Sequence, residues 1–148
     1  MAAGETKAPS DQEKIMMAIV RVAELFKRRS SAIFKSQGLT FSQYNVLRVL
    51  AASQGSKKAI NEVSKTMLAS APNLSGIAKR LEKGGFITRK SLAQDERVKL
   101  LGITAKGRRV LGLIQEEQKD NIRMFLRGSS KRQRDEMLAI LRSMLKME

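Results

Sequence analysis

The chain has 148 residues, room for one domain with its own core, and carries 29 Lys and Arg against 14 Asp and Glu, a formal net charge of +15. Cysteine and histidine are both absent, which excludes disulfides, thiolate metal sites and thiol redox switches, and leaves no imidazole for zinc, iron or general-base chemistry. The positive excess points to a polyanionic partner: nucleic acid is favoured, and a membrane surface is the competing polyanion.

The N-terminal MAAGETKAPSDQEK is polar and has no apolar signal core, and no later run approaches the length of a membrane span. A cytoplasmic protein with no membrane partner is therefore expected. Met1 to Pro9 reads as a tail of small and polar residues. A first helix should start at Ser10, since Ser10 and Glu13 have capping-box spacing. Its apolar positions Ile15, Ile19, Val22, Phe26 and Ile33 keep a helical repeat, with Arg29 where the seam would otherwise continue. So long an amphipathic helix outruns a small domain, which favours a subunit interface over purely internal packing.

Gly38 is a fitting stop, and Thr40 with Gln43 repeats the capping-box spacing. A second helix should bury Tyr44, Leu47 and Leu50 and end near Ser53, before an SQGSKK turn. A short third helix follows, with Asn61 as candidate cap and Ile60, Val63 and Met67 or Leu68 turned inward. After a turn at Leu68 to Ser70, the fourth helix opens on Ser70 with Pro72 in its first turn, where a missing N–H is harmless. The repeat puts Leu74, Ile77, Ala78 and Leu81 inside and leaves Asn73, Ser75, Gly76, Lys79, Arg80 and Lys83 outside.

Two short helices joined by so tight a turn form a helix-turn-helix, whose second member can lie in a major groove. Asn73 and Ser75, near that helix's N-terminus, are candidates to read base edges, because amide and hydroxyl groups both donate and accept. Ser70 is a candidate phosphate contact at the helix N-terminus, and Lys79, Arg80 and Lys83 are further phosphate candidates. Read alone, this stripe could equally be a solvated helix face.

Gly84 and Gly85 end the helix, and two extended runs follow, Phe86 to Leu92 and Val98 to Ile103, joined by an AQDER turn. A hairpin beside a recognition helix is a wing. Arg97 at its tip suits a narrow minor groove, Asp95 holds the turn or orients an arginine, and Arg89, Lys90 and Lys99 add basic contacts. From Ala71 to Arg109 there are ten Lys and Arg against three acids, a local net of +7. Thr104 can cap a fifth helix reaching about Arg127, Gly128 breaks it, and Ser130 with Gln133 opens a sixth. That last helix carries Met137, Leu138, Leu141, Met144 and Leu145 in one stripe.

The helix before LTFSQYNVL, the segment SAPNLSGIAKRLEKGGFITRK, and DERVKLLGITAKG stand in an order that resembles the MarR family of winged-helix regulators over nearly the whole chain. The most specific part is RLEKGGFITR followed by Asp95, Arg97, Ile103, Thr104 and Gly107, similar to the family's D-x-R tip and Leu-Thr-x-x-Gly exit. The resemblance implies a homodimeric transcription factor, usually a repressor, that reads a pseudo-palindrome in double-stranded DNA and is released by a small anionic or phenolic ligand. It also implies an effector pocket between the dimer helices and the winged helix, for which Arg28, Arg29, Phe34, Tyr44 and Arg48 are candidate linings. Two positions depart from the pattern: Glu96 stands where members often carry a second arginine, and Gly76 where a larger polar or basic residue is common.

The expected architecture is mainly α with a small β-hairpin wing: one domain over 1–148, a winged helix-turn-helix at 39–107, and dimerisation helices at 10–37 and 108–148. The leading function is sequence-specific regulation of transcription without cofactor or metal. A nonspecific architectural DNA binder is the alternative, since phosphate contacts carry no sequence information. An enzyme ranks below both, because no histidine, cysteine or GxxxxGK phosphate loop is present.

Overall fold

The computed structural model describes Gly4 and residues 6–147; the tail expected over Met1 to Pro9 falls partly outside them. Helix α1 runs Asp11–Ser36, and its 26 residues span about 39 Å at 1.5 Å per residue. Ser10 Oγ accepts from the Glu13 backbone N–H at 3.2 Å, but Glu13 does not return the bond, so only half of the expected box forms. Gly38, at φ +72°, turns the chain out of the helix in a conformation that glycine adopts without penalty.

Helix α2, Phe41–Ala52, opens on a complete capping box: Gln43 N–H donates to Thr40 Oγ1 at 3.2 Å and Thr40 N–H to Gln43 Oε1 at 2.9 Å. A single 3-10 turn, Gln54–Ser56, leads to strand β1, Lys57–Ala59, and then to α3, Ile60–Met67, and α4, Ala71–Lys83. Strands β2, Ile87–Leu92, and β3, Asp95–Ile103, form the hairpin; α5, Ala105–Leu126, and α6, Lys131–Met144, close the chain.

One apolar cluster holds the middle of the molecule. Leu47 and Leu50 of α2, Val63 of α3, Leu74 and Leu81 of α4, Leu101 of β3 and Ile114 of α5 are all fully buried, and Phe34 of α1 joins them at 1% exposure. The helix-turn-helix is thus clamped from behind by α2 and by the first half of α5. Thr104 caps α5 as expected, accepting from Gly107 N–H at 3.1 Å while its own hydroxyl donates to Gly85 O at 2.7 Å. Lys106 Nζ donates to Gly84 O at 2.7 Å and stands 4.7 Å from the Phe86 ring centroid, so the turn after α4 is tied to the start of α5. Gly107 packs so closely on the chain at Phe86 that a Cβ there would lie 2.3 Å from the Phe86 carbonyl oxygen. The second half of α5 and all of α6 leave this lobe, and α6 buries no residue.

Three local expectations need correction, and one open alternative is resolved. The SQGSKK turn contains a strand: Lys57 to Ala59 pair antiparallel with Leu100 to Gly102, which makes a three-stranded sheet in the order β1-β3-β2. The tip of the hairpin is Ala93 and Gln94 alone, because Leu92 pairs with Asp95 and Ser91 with Lys99, leaving Glu96 to Val98 as a bulge on β3. Ala59, without any side-chain bond, occupies the N-cap of α3; Asn61 lies inside the helix and accepts from Glu62 N–H. Of the two candidates for the inner face of α3, Met67 packs against the core while Leu68 is 61% exposed, carried out by its left-handed backbone at φ +52°.

Candidate nucleic-acid interface

The inner side of α4 is as the repeat requires, with Leu74, Ile77, Ala78 and Leu81 buried. Asn73, Lys79, Arg80 and Lys83 are exposed on the other side, and Ser75 and Gly76 are half-buried between the two. Asn73, Gly76, Arg80 and Lys83 follow the three- and four-residue steps of a single helical face. Its centre is bare: a Cβ at Gly76 would meet nothing nearer than Arg80 Nη2 at 3.7 Å. Ser70 is the N-cap, its hydroxyl accepting from Asn73 N–H at 3.4 Å, so it holds the end of the helix whose exposed first turn faces solvent.

The wing is docked onto this helix by charge. Arg89 Nε of β2 lies 3.4 Å from Glu82 Oε1 of α4, and the Arg89 side chain is only 23% exposed. Arg89 is therefore committed to joining the two reading elements. Lys99 Nζ donates across the hairpin to Ser91 Oγ at 2.7 Å. Lys90 is exposed, and the Arg97 side chain stands out from the bulge at 95% exposure. Asp95 Oδ1 accepts from Arg97 N–H at 3.0 Å and stands 3.6 Å from Arg97 Nε, which braces the start of the bulge beside that arginine. The ten basic and polar candidates thus divide. Asn73, Lys79, Arg80, Lys83, Lys90 and Arg97 are open to a ligand, whereas Ser70, Arg89 and Lys99 are engaged within the fold and Ser75 is half-covered.

Among the described residues, the five candidate effector residues are divided between the core and three separate grooves. Phe34 and Tyr44 are core residues, their rings 4.8 Å apart. Arg29 reaches α5, where its guanidinium donates to Met124 Sδ at 3.1 Å beside Leu25 and Phe125. Arg28 borders a shallow groove made by α1 alone. The guanidinium of Arg48 lies 6.0 Å from the Tyr44 ring, one helical turn away, and lines a cleft with Asn45, Val49 and Ala52. Burial pushes the Tyr44 phenol above its ordinary value of 10.0, and the charge on Arg48 offsets part of that.

A polar cluster that the sequence pattern did not single out sits where α1 crosses α5. Ser30 and Gln118 are buried at 0% and 1% exposure; Asn121 Nδ2 donates to Gln118 Oε1 at 2.9 Å and to Ser30 Oγ at 3.1 Å. Gln118 Nε2 is buried without a partner among the described residues. The signal was in the stripe itself, because Val110, Leu111, Ile114 and Gln118 continue one helical face and the glutamine interrupts it.

Residues 37–98, from the end of α1 to the wing bulge, match the sequence model of the MarR family. Among curated proteins, the HTH-type transcriptional regulator PapX of Escherichia coli is 27% identical over 99 residues, covering 67% of this chain and 60% of its own length. The chain spans under two thirds of the length of the curated relatives that it matches. Among solved structures, NadR in complex with 4-hydroxyphenylacetate superposes with a TM-score of 0.83 at 22% identity, over 97% of this chain and all of that one. The MarR-family regulator Sco3205 of Streptomyces coelicolor, solved in complex with DNA, gives 0.81 at 22% identity over 95% and 90%. The match falls on the segment that holds the helix-turn-helix and most of the wing, and the architecture around it is shared over nearly the full chain. The fold is the winged helix of these solved structures, and residues 37–98 carry the likeness to the MarR family.

Proposed function

We propose that the chain is a homodimeric, sequence-specific DNA-binding regulator of transcription, a repressor acting on a pseudo-palindromic operator. The observation that carries the reading is the open polar and basic face of α4, Asn73 to Lys83, joined through Arg89 and Glu82 to a wing whose Arg97 is exposed. An α-helix fits a major groove, and an exposed arginine on a bulged hairpin fits the adjacent minor groove. A nonspecific binder would need only the charge. Asn73, which carries no charge and stands at the helix N-terminus, favours a reader of base edges.

The dimer is inferred from apolar surface. On α1, Ile15 and Val22 are each 54% exposed, and on α6 Ile140 is 57% exposed. The two helices flank a groove of about 790 Å³ lined chiefly by aliphatic and methionine side chains. A contiguous patch of this kind marks an interaction surface, and a two-fold partner would place the two recognition helices about 34–36 Å apart, one duplex turn. No helix among the described residues is long and apolar enough to cross a membrane; a cytoplasmic regulator is the setting that DNA binding requires. A small anionic or phenolic effector is part of the same reading, supported by NadR, a neighbour solved with 4-hydroxyphenylacetate. Its site would use the α1–α5 side, where Arg29 and the Ser30–Gln118–Asn121 cluster lie, with a second subunit completing the walls.

Selection from random duplex at fixed salt tests this. Enrichment of an inverted repeat with half-sites about one turn apart is the expected result; equal recovery of all sequences would leave the nonspecific binder.

A further inference from the structure

Gly76 stands in the middle of the outward face of α4, one turn from Asn73 on one side and from Arg80 on the other. A glycine inside a helix costs stability relative to alanine. Elsewhere the fold has a use for its glycines: Gly107 for close packing on Phe86, Gly38 and Gly85 for a positive φ. Neither reason holds at Gly76. Its backbone is helical, and beyond that backbone the nearest atom to an added Cβ is the tip of the flexible Arg80 side chain, Nη2 at 3.7 Å. The missing Cβ therefore leaves a bare spot of backbone, bordered by an amide and a guanidinium, on the face read above as entering the major groove.

We propose that Gly76 seats the 5-methyl group of one thymine in each half-site of the bound duplex. A bare spot of this kind discriminates among base edges. The N–H and C=O of Gly76 are used within α4, so it offers no hydrogen bond to replace the water that a polar edge gives up. The apolar group that the major groove presents is the thymine methyl. With no Cβ in the way, that methyl reaches the helix backbone at van der Waals distance, while Asn73 and Arg80 are left to bond polar groups beside it. Residues three or four apart on a helix stand about 5–6 Å from each other, so the thymine lies in the same base pair as the base that Asn73 contacts, or in an adjacent one. The proposal rests on the reading of the chain as a base-reading regulator and adds to it a base recognised where a side chain is missing.

The test uses the full-length chain and the inverted-repeat duplex that selection enriches. Each thymine of a half-site, with its symmetry mate, is replaced in turn by deoxyuridine, which removes the 5-methyl and keeps every hydrogen-bonding group. At one such position the parent chain should bind about fourfold more weakly per half-site, the transfer cost of one buried methyl. Gly76→Ala should bind the unmodified duplex about tenfold or more weakly, since its own methyl takes the same space, and deoxyuridine at that same position should strengthen its binding. The effect of the thymine methyl thus changes sign between the two proteins at one base. Gly112→Ala, on the exposed face of α5 where an added Cβ meets nothing within 4 Å, should bind every duplex as the parent does. A flat deoxyuridine scan, a half-site without thymine, a Gly76→Ala chain that binds as the parent does, or one weakened equally on every duplex would each overturn the seat. If selection enriches no repeat, the base-reading function fails and the seat with it; an enriched repeat with a flat scan removes the seat alone.

Discussion

The lobe and the arms are built from the same kind of amphipathic helix and use it in opposite ways. On α4, Leu74 and Leu81 are fully buried and the outward positions carry Asn73, Lys79, Arg80 and Lys83. On the N-terminal half of α1 and on α6, apolar side chains are left facing solvent, with Ile15 at 54% and Leu138 at 47% exposure. Periodicity therefore says which face of a helix wants cover, and not what covers it. Within the lobe the cover is the chain itself; on the arms of the proposed dimer it is a second subunit. The exposed cations of α4 and the wing lie on the lobe's outer face, where a polyanion would find them.

Breaking the arms should have the largest effect. Val22→Asp with Ile140→Asp places charges on a surface that is exposed in the single chain, so the lobe should keep its far-ultraviolet circular dichroism. Sedimentation should report monomers, and affinity for an inverted-repeat duplex should fall about a hundredfold as the two half-sites cease to be linked. A double variant that remains dimeric would remove α1 and α6 from the interface.

The lobe can then be probed with two glycines that differ in their surroundings. Gly107→Ala forces a methyl against the Phe86 carbonyl and should destabilise by about 1–3 kcal/mol in urea unfolding. Gly76→Ala enters open space on a regular helix and should stabilise by about 0.5–1 kcal/mol. A Gly107→Ala variant as stable as the parent would contradict the close packing of α5 on the turn after α4, and a destabilised Gly76→Ala would contradict the open space at that position.

Within the reading surface, Asn73→Ala should relax preference at particular bases by about 1–3 kcal/mol, whereas Arg97→Ala should weaken all sequences more evenly. Binding to a panel of single-base operator variants separates the two, and an unchanged preference after Asn73→Ala would take that residue out of base readout.

The smallest effect concerns the junction of α1 and α2. Tyr44 is the only tyrosine and there is no tryptophan, so its ionisation can be followed by absorbance alone. Burial disfavours the phenolate, so the midpoint should lie above 10.0, and Arg48→Gln should raise it further. The neutral phenol is the form that the fold prefers. Its contribution to stability is complete below the unfolded value near 10 and is lost as pH rises through the higher folded value. A midpoint at or below 10.0 would contradict the packing of Tyr44 against Phe34.

Much of this was legible from residues that act locally. The caps at Thr40, Ser70, Thr104 and Ser130 depend on groups three residues away, and the inner face of α4 on its own repeat, so spacing alone located them. Strand β1 was not legible: Lys57-Lys58-Ala59 has no strand preference and is extended because β3 offers it hydrogen-bond partners. The wing tip was placed too broadly for a related reason, since the bulge at Glu96 to Val98 is set by cross-strand register. The Arg89–Glu82 pair was not legible either, because nothing in the neighbourhood of Arg89 in the sequence shows that Glu82 stands beside it in space. The effector residues Arg28, Arg29, Phe34, Tyr44 and Arg48 were assigned by resemblance to a shared pocket, and within one chain Phe34 and Tyr44 are core residues while the three arginines border different grooves.

In the proposed dimer two lobes, each carrying one reading surface, are joined by the arms. Sedimentation of the chain with an enriched inverted-repeat duplex, and with a duplex holding a single half-site, probes that linkage without any substitution. Two chains should bind each full-site duplex, and affinity for the half-site should be much reduced. One chain per duplex, bound equally well to half and full sites, would refute the linked pair.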